Sequence, residues 1–87
     1  ARPWPNPAAG AVQFHFTLPQ SGPAMLSVLD VAGRRVRAIA LPQASAGENG
    51  VRWDRHDDAG RELSPGLYFA RLEAAGESIA WPLVLAR

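Results

Sequence analysis

VRWDRHDDAGRELSPGLYFARL, residues 51–72, decides how this chain folds. An extended run carrying Trp53 leads into an Asp/Gly turn. Ser64-Pro65-Gly66 makes a corner, and a second extended run begins with Tyr68. Asp side chains in such turns bond to backbone two residues on, and a glycine takes the left-handed position, here Gly60. A Trp before the turn and a Tyr just after the Pro-Gly corner suit an immunoglobulin-like sandwich. There the Trp anchors the core, and the Tyr hydroxyl bonds back across the corner. Trp53, Tyr68, Gly33, Gly60 and Gly66 are therefore expected to be structural anchors.

The rest of the chain follows the same alternation. Val12, Phe14, Phe16 and Leu18 fall on one face of a strand, with Gln13, His15 and Thr17 on the other. Ala24, Leu26 and Val28 line a second strand over 24–30. Val31-Ala32-Gly33-Arg34 turns the chain into a third over 35–41, with Val36 and Ala38 inward and Arg35 and Arg37 outward. Residues 42–49 read as a loop, and 50–54 as a fourth strand. A short extended piece over 61–63 and strands over 67–74 and 77–86 complete the set, with a turn at Ala75-Gly76. No segment has helical periodicity. The expected fold is all-β, an Ig-like or fibronectin III-like antiparallel β-sandwich of about seven strands.

Size and composition agree. Eighty-seven residues make one domain, and 47% hydrophobic residues suffice for one core. Residues 1–10, with Pro3, Pro5 and Pro7, read as a stiff linker, and residues 11–87 as the domain. No apolar run approaches the ~20 residues of a membrane span. The first ten residues carry no apolar signal-peptide core, which places any export signal elsewhere. Without cysteine there is no disulfide framework and no thiolate metal site. Nine arginines against eight acids give a net charge of +1, which offers no case for nucleic acid.

Few residues are candidates for chemistry. Asp54, Asp57 and Asp58, with Glu62, gather around one turn, and Ca²⁺ favours several oxygens from one loop. Their spacing does not match a calcium-binding loop, and the favoured reading is turn chemistry with Arg55 and Arg61 neutralising the acids. Ca²⁺ is the one cofactor left open. His15 and His56 lie far apart, and Ser21, Ser27, Ser45, Ser64 and Ser78 lack a nucleophile context, so no catalytic residue is assigned and no enzyme is expected. Trp4, Trp53 and Trp81 raise a polysaccharide-binding reading. Trp53 and Trp81 fall on core positions, while Trp4 stands between prolines. Phe69 lies opposite Tyr68 on its strand and is available to a partner. Pro82 cannot donate to a ladder, which marks the last strand as an edge open to strand addition. Trp4, Phe69, Trp81 and Pro82 are the partner-binding candidates.

One further reading rests on motifs. Pro5-Asn6-Pro7 opens the chain; Phe14 to Leu18 is followed by Pro19 and Gly22, and residues 28–36 read VLDVAGRRV. Gly47-Glu48, Val51-Arg52-Trp53-Asp54, Asp57-Asp58, Gly60-Arg61 and residues 64–72, SPGLYFARL, complete the series. Together they resemble the Ig-like domain of the flagellar hook-cap protein. They are also similar to the type A C-terminal sorting domains of the type IX secretion system, though the last strand, Ala80-Trp81-Pro82-Leu83, lacks the basic residue and Met often seen there. The resemblance implies a non-catalytic C-terminal accessory module of a larger secreted protein, at the outer cell surface or outside the cell. Its implied partners are the preceding domain and the secretion or cell-surface machinery. A structural scaffold and a carbohydrate- or protein-binding module are the alternatives.

Overall fold

The alternation of the first strand is reproduced in its burial. Val12, Phe14, Phe16 and Leu18 are buried, while His15 and Thr17 are exposed. The computed structural model describes residues 10–86, and every named element among them is a strand: β1 (Val12–Leu18), β2 (Gly22–Leu29), β3 (Arg35–Ala44), β4 (Gly47–Trp53), β5 (Gly66–Ala74) and β6 (Glu77–Leu85). β1 pairs with β4 in a two-stranded sheet, and the other four form a sheet ordered β3-β2-β5-β6. All pairs are antiparallel. The core draws on both sheets: Phe14, Phe16 and Trp53 from one, and Leu26, Val28, Ala70, Leu72 and Leu83 from the other. The all-β sandwich thus stands, with six strands. The seventh, expected over 61–63, is a single bridge between His56 and Glu62.

Three other expectations are corrected. Residues 42–49 are not a loop: β3 runs to Ala44, β4 starts at Gly47, and only Ser45 and Ala46 lie between them. This short link carries the chain from the larger sheet to the smaller. Within β3, Val28 pairs with Arg37 and Leu29 with Arg35, so Val36 is an inserted residue, a β-bulge. Cross-strand partners share a face. Arg37 therefore lies on the side of buried Val28, and Ala38 pairs with Ser27 on the outer face. Ile39 and Leu41, together with Val36, pack against the core where Ala38 was expected.

Tyr68 behaves as its position implies. It is 9% exposed, and its hydroxyl donates to the Ser64 carbonyl oxygen at 2.8 Å. That bond closes the corner that Pro65 and Gly66 begin. Tyr68→Phe removes it and little else, and is expected to cost about 1 kcal/mol. For a domain this size the midpoint should fall by roughly 4–8 °C in thermal unfolding; an unchanged midpoint removes the corner from the account of stability.

The ends of the described chain meet at one pole. Val12 pairs with Trp53 at the start of β1, and Leu85 pairs with Gly66 at the end of β6. The loop 54–65, which joins Trp53 to Gly66, caps this same pole.

Candidate functional site

The loop 54–65 holds the densest polar chemistry of the described residues, and its order comes from a five-residue module used twice. Residues 30–34 read DVAGR, and residues 57–61 read DDAGR. In the first, the Ala32 and Arg34 amides donate to Asp30 Oδ1 at 3.0 and 2.9 Å. In the second, the Ala59 and Arg61 amides donate to Asp57 Oδ1 at 3.0 and 2.9 Å. In each, the glycine amide bonds back to the aspartate carbonyl oxygen. Gly33 and Gly60 take φ of 85° and 87°, a left-handed conformation that costs other residues about 1–2 kcal/mol. Each module ends with an arginine that folds back on its own aspartate, Arg34 Nε to Asp30 at 3.0 Å and Arg61 Nε to Asp57 at 3.5 Å. The repeated pentapeptide is the signal that reading the chain as one acidic cluster misses.

The second module is docked on β3. The Asp58 amide donates to the Val36 carbonyl at 2.9 Å, and Asp58 Oδ1 accepts from the Ala38 amide at 3.1 Å. β3 is an edge strand of its sheet, and these bonds cover part of its otherwise unpaired backbone. Arg37, brought to the loop side by the bulge, completes the junction. Its Nη1 donates to the His56 and Asp57 carbonyl oxygens at 3.2 and 3.4 Å, and its guanidinium lies 3.9 Å from Asp54 and 3.8 Å from Asp58.

This arrangement settles how the acids are used. Asp57 caps its own turn, Asp58 binds β3, and Asp54 Oδ1 accepts from the His56 amide at 3.1 Å. Arg37, not Arg55, stands against Asp54 and Asp58; Arg61 serves Asp57 as expected, and Arg55 is itself buried, at 6% exposure. Among the described residues no group of three acids or histidines is placed to hold a metal ion. The geometry of Asp54, Asp57 and Asp58 is that of turn chemistry.

The same bonds set the acid response. An amide hydrogen bond from Arg34 holds the Asp30 carboxyl below its usual range, one from His56 does so for Asp54, and one from Arg61 for Asp57. A carboxyl with a lowered folded pKa stabilises the fold when ionised. That stabilisation is complete above the unfolded value near pH 4 and is lost as pH falls through the lowered values. The urea midpoint is therefore expected to stay level above about pH 5 and to fall below about pH 4. Asp57→Asn, which keeps an oxygen acceptor but carries no charge, should flatten part of that fall.

The remaining candidates are scattered. His15 is exposed on the outer face of β1, whereas His56 sits in the acidic loop, its Nδ1 3.0 Å from the Asp54 carbonyl oxygen. Trp53 is 1% exposed, stacks on Phe14 with ring centroids 6.3 Å apart, and donates from Nε1 to the His56 carbonyl oxygen at 2.9 Å. Trp81 is a core residue, as its position indicated. At 8% exposure it offers no ring to a partner, and its place among the partner-binding candidates is corrected. Pro82 is exposed beside half-buried Phe69, its cross-strand neighbour. Among the described strands β6 is the outermost of its sheet, the edge that Pro82 indicated, and neither Pro82 nor Val84 is without a partner. Trp4 and the rest of the Pro-rich linker lie outside the described residues.

Comparison with known proteins gives a consistent picture. The model of the FlgD Ig-like domain family matches residues 5–78. Among solved structures, FlgD from P. aeruginosa is 26% identical with a TM-score of 0.64, over 83% of this chain and 61% of that one. FlgD from Xanthomonas campestris, described in terms of hook capping essential for flagellar assembly, is 22% identical with a TM-score of 0.67, over 88% of this chain and 58% of that one. Dimeric latent PorU from Porphyromonas gingivalis is 19% identical with a TM-score of 0.75, over 95% of this chain and 9% of that one. At these identities the last two speak to fold alone. The chain spans 61%, 58% and 9% of the three solved proteins. No curated protein matches it.

Proposed function

Because the chain belongs to the FlgD Ig-like domain family, we propose that it is a non-catalytic accessory module of a larger secreted protein, positioning its neighbours at the outer cell surface rather than transforming a substrate. The observation that carries this reading is how the acidic loop is used. Asp54, Asp57, Asp58 and Arg37 direct their charges at backbone groups and at one another, which fastens loop 54–65 to β3. Chemistry that resembles a site from the sequence is architecture in three dimensions. An adjoining segment also suits the pole where the described chain ends lie together, since attachments there leave both sheets undisturbed. The mass of the polypeptide isolated from its own cells tests the reading. A species well above 9.3 kDa that contains these residues is expected; a free chain of that mass overturns it.

The finer role favoured by the family is a scaffold within an assembly, as the hook-cap relatives provide. Residues 5–78, which the family model matches, contain both DxAGR modules and the Tyr68 corner. A second role is sorting or attachment through the type IX secretion route, favoured by the motif run from Pro5 to Leu72. A reporter fused ahead of Ala1, in a host with that route, is expected at the cell surface under the sorting reading. Retention in the periplasm removes sorting and leaves the scaffold.

A further inference from the structure

The two outer faces of the sandwich differ in kind. On the β1–β4 sheet, Gln13, His15 and Thr17 face out beside Arg52, Gly50 and Glu48, a polar surface. On the larger sheet, the half nearest the chain ends is apolar. Leu29, Phe69 and Pro82 stand side by side in one row of the register, and Leu67 with Val84 forms the next. Leu67 and Val84 are 45% and 38% exposed. The solvated face of an antiparallel sheet is ordinarily polar, and a contiguous apolar patch on a soluble domain marks an interaction surface.

Charge and size narrow the occupant. Arg35 extends the Leu29 row, and Arg71 stands in the row above, opposite Ser27. Of the acids nearby, Asp30 is bonded to Arg34, and Glu73 lies 3.6 Å from Arg71 Nε, which makes no hydrogen bond. A second copy fits this pattern poorly. A two-fold axis across the strands at Phe69 sets Arg71 of one copy over Leu67 of the other, and isologous contact repeats that mismatch on both sides of the axis. Cations bracketing apolar rows suit an apolar strip flanked by carboxylates. The whole face, four strands about 4.8 Å apart and eight to ten residues long, measures roughly 19 by 30 Å, and the apolar part is about half of it. Persistent free complexes bury about 800 Å² per partner. A patch this small holds its partner when a tether supplies an effective concentration on the order of millimolar.

We propose that the apolar half of this face, Leu29, Leu67, Phe69, Pro82 and Val84 between Arg35 and Arg71, is the docking surface for the adjoining region of the same polypeptide, which meets it with an apolar strip flanked by carboxylates. The proposal rests on the module reading above and names the surface that reading leaves open.

Hydroxyl-radical footprinting of the intact native polypeptide tests it. Ile79, 53% exposed and paired with Leu72 away from the patch, serves as the internal reference. Docking protects Leu67 and Val84 several-fold below the labelling their exposures imply, and leaves Ile79 reactive. Labelling of all three in proportion to exposure overturns the proposal. Protection that persists on dilution supports a tethered partner, whereas protection lost on dilution overturns it in favour of a second molecule. Leu67→Glu in the intact polypeptide should restore labelling at Val84, and His15→Glu on the polar face should not. The mass of the polypeptide, read separately, reports on the module reading itself, so the two failures are distinguishable.

Discussion

Trp53→Ala is expected to remove about 3–5 kcal/mol of stability, the range for truncating a buried large aromatic. Three losses coincide at this residue. The side chain is 1% exposed, so its removal leaves a cavity between the sheets. Phe14 loses the ring stacked on it. The His56 carbonyl oxygen loses the indole N–H, one of the bonds that fold loop 54–65 back on the domain. A domain of this size has roughly 4–13 kcal/mol in total, so the loss takes between about a quarter and all of it. The variant's thermal midpoint should fall by at least about 12 °C by circular dichroism. Trp53→Phe keeps an aromatic ring against Phe14 and loses the hydrogen bond, and should fall between the variant and the parent. A midpoint for Trp53→Ala within a few degrees of the parent contradicts the inward placement of this ring.

Arg37→Ala is expected to cost about 2 kcal/mol, within the range for hydrogen bonds to a charged group. The guanidinium is 30% exposed, and solvent screening of its ion pairs keeps the value from rising further. What distinguishes this variant is where the damage appears. Arg37 joins β3 to a loop 17–21 residues further along the chain, so its loss should release the loop before it disturbs the core. Hydrogen exchange should accelerate at the Ala38 and Asp58 amides, which bind across this junction, while the Leu26 amide keeps its protection. Arg37→Lys keeps the charge but not the planar fork, and should recover only part of the loss. Uniform acceleration at all three amides contradicts the local role.

How far the candidate site could be read in advance varied with the range of the interactions concerned. The Tyr68 corner and the two Asp-Gly turns close within five residues, so the sequence that specifies them is contiguous. The turn reading of Asp57 and Gly60 needed only that local pattern, although the twin at Asp30 and Gly33 passes unnoticed unless the pentapeptides are set side by side. Arg37 was illegible for the opposite reason. Alternation places it outward, and one extra residue, Val36, inverts the parity of the strand from that point. Nothing in the neighbouring residues announces the bulge. Residues 42–49 read as a loop because Pro42 and small polar residues signal a turn, and the pairing of Gly22 with Ala44 and of Gly47 with Leu18 overrides that signal.

By itself, then, the sequence determined most of the strands, their buried faces outside β3 and the turns between most of them, because period-two alternation and short-range Asp–amide bonds are written in adjacent residues. It also determined that Trp53 and Tyr68 hold the sandwich at one end. Only the tertiary structure decided which strands are neighbours, that β1 lies against β4 while β3 begins the other sheet, and hence that Arg37 meets Asp54 and Asp58. It alone decided that one outer face is polar and half of the other apolar, because a face is assembled from residues of separate strands whose registers must first be set.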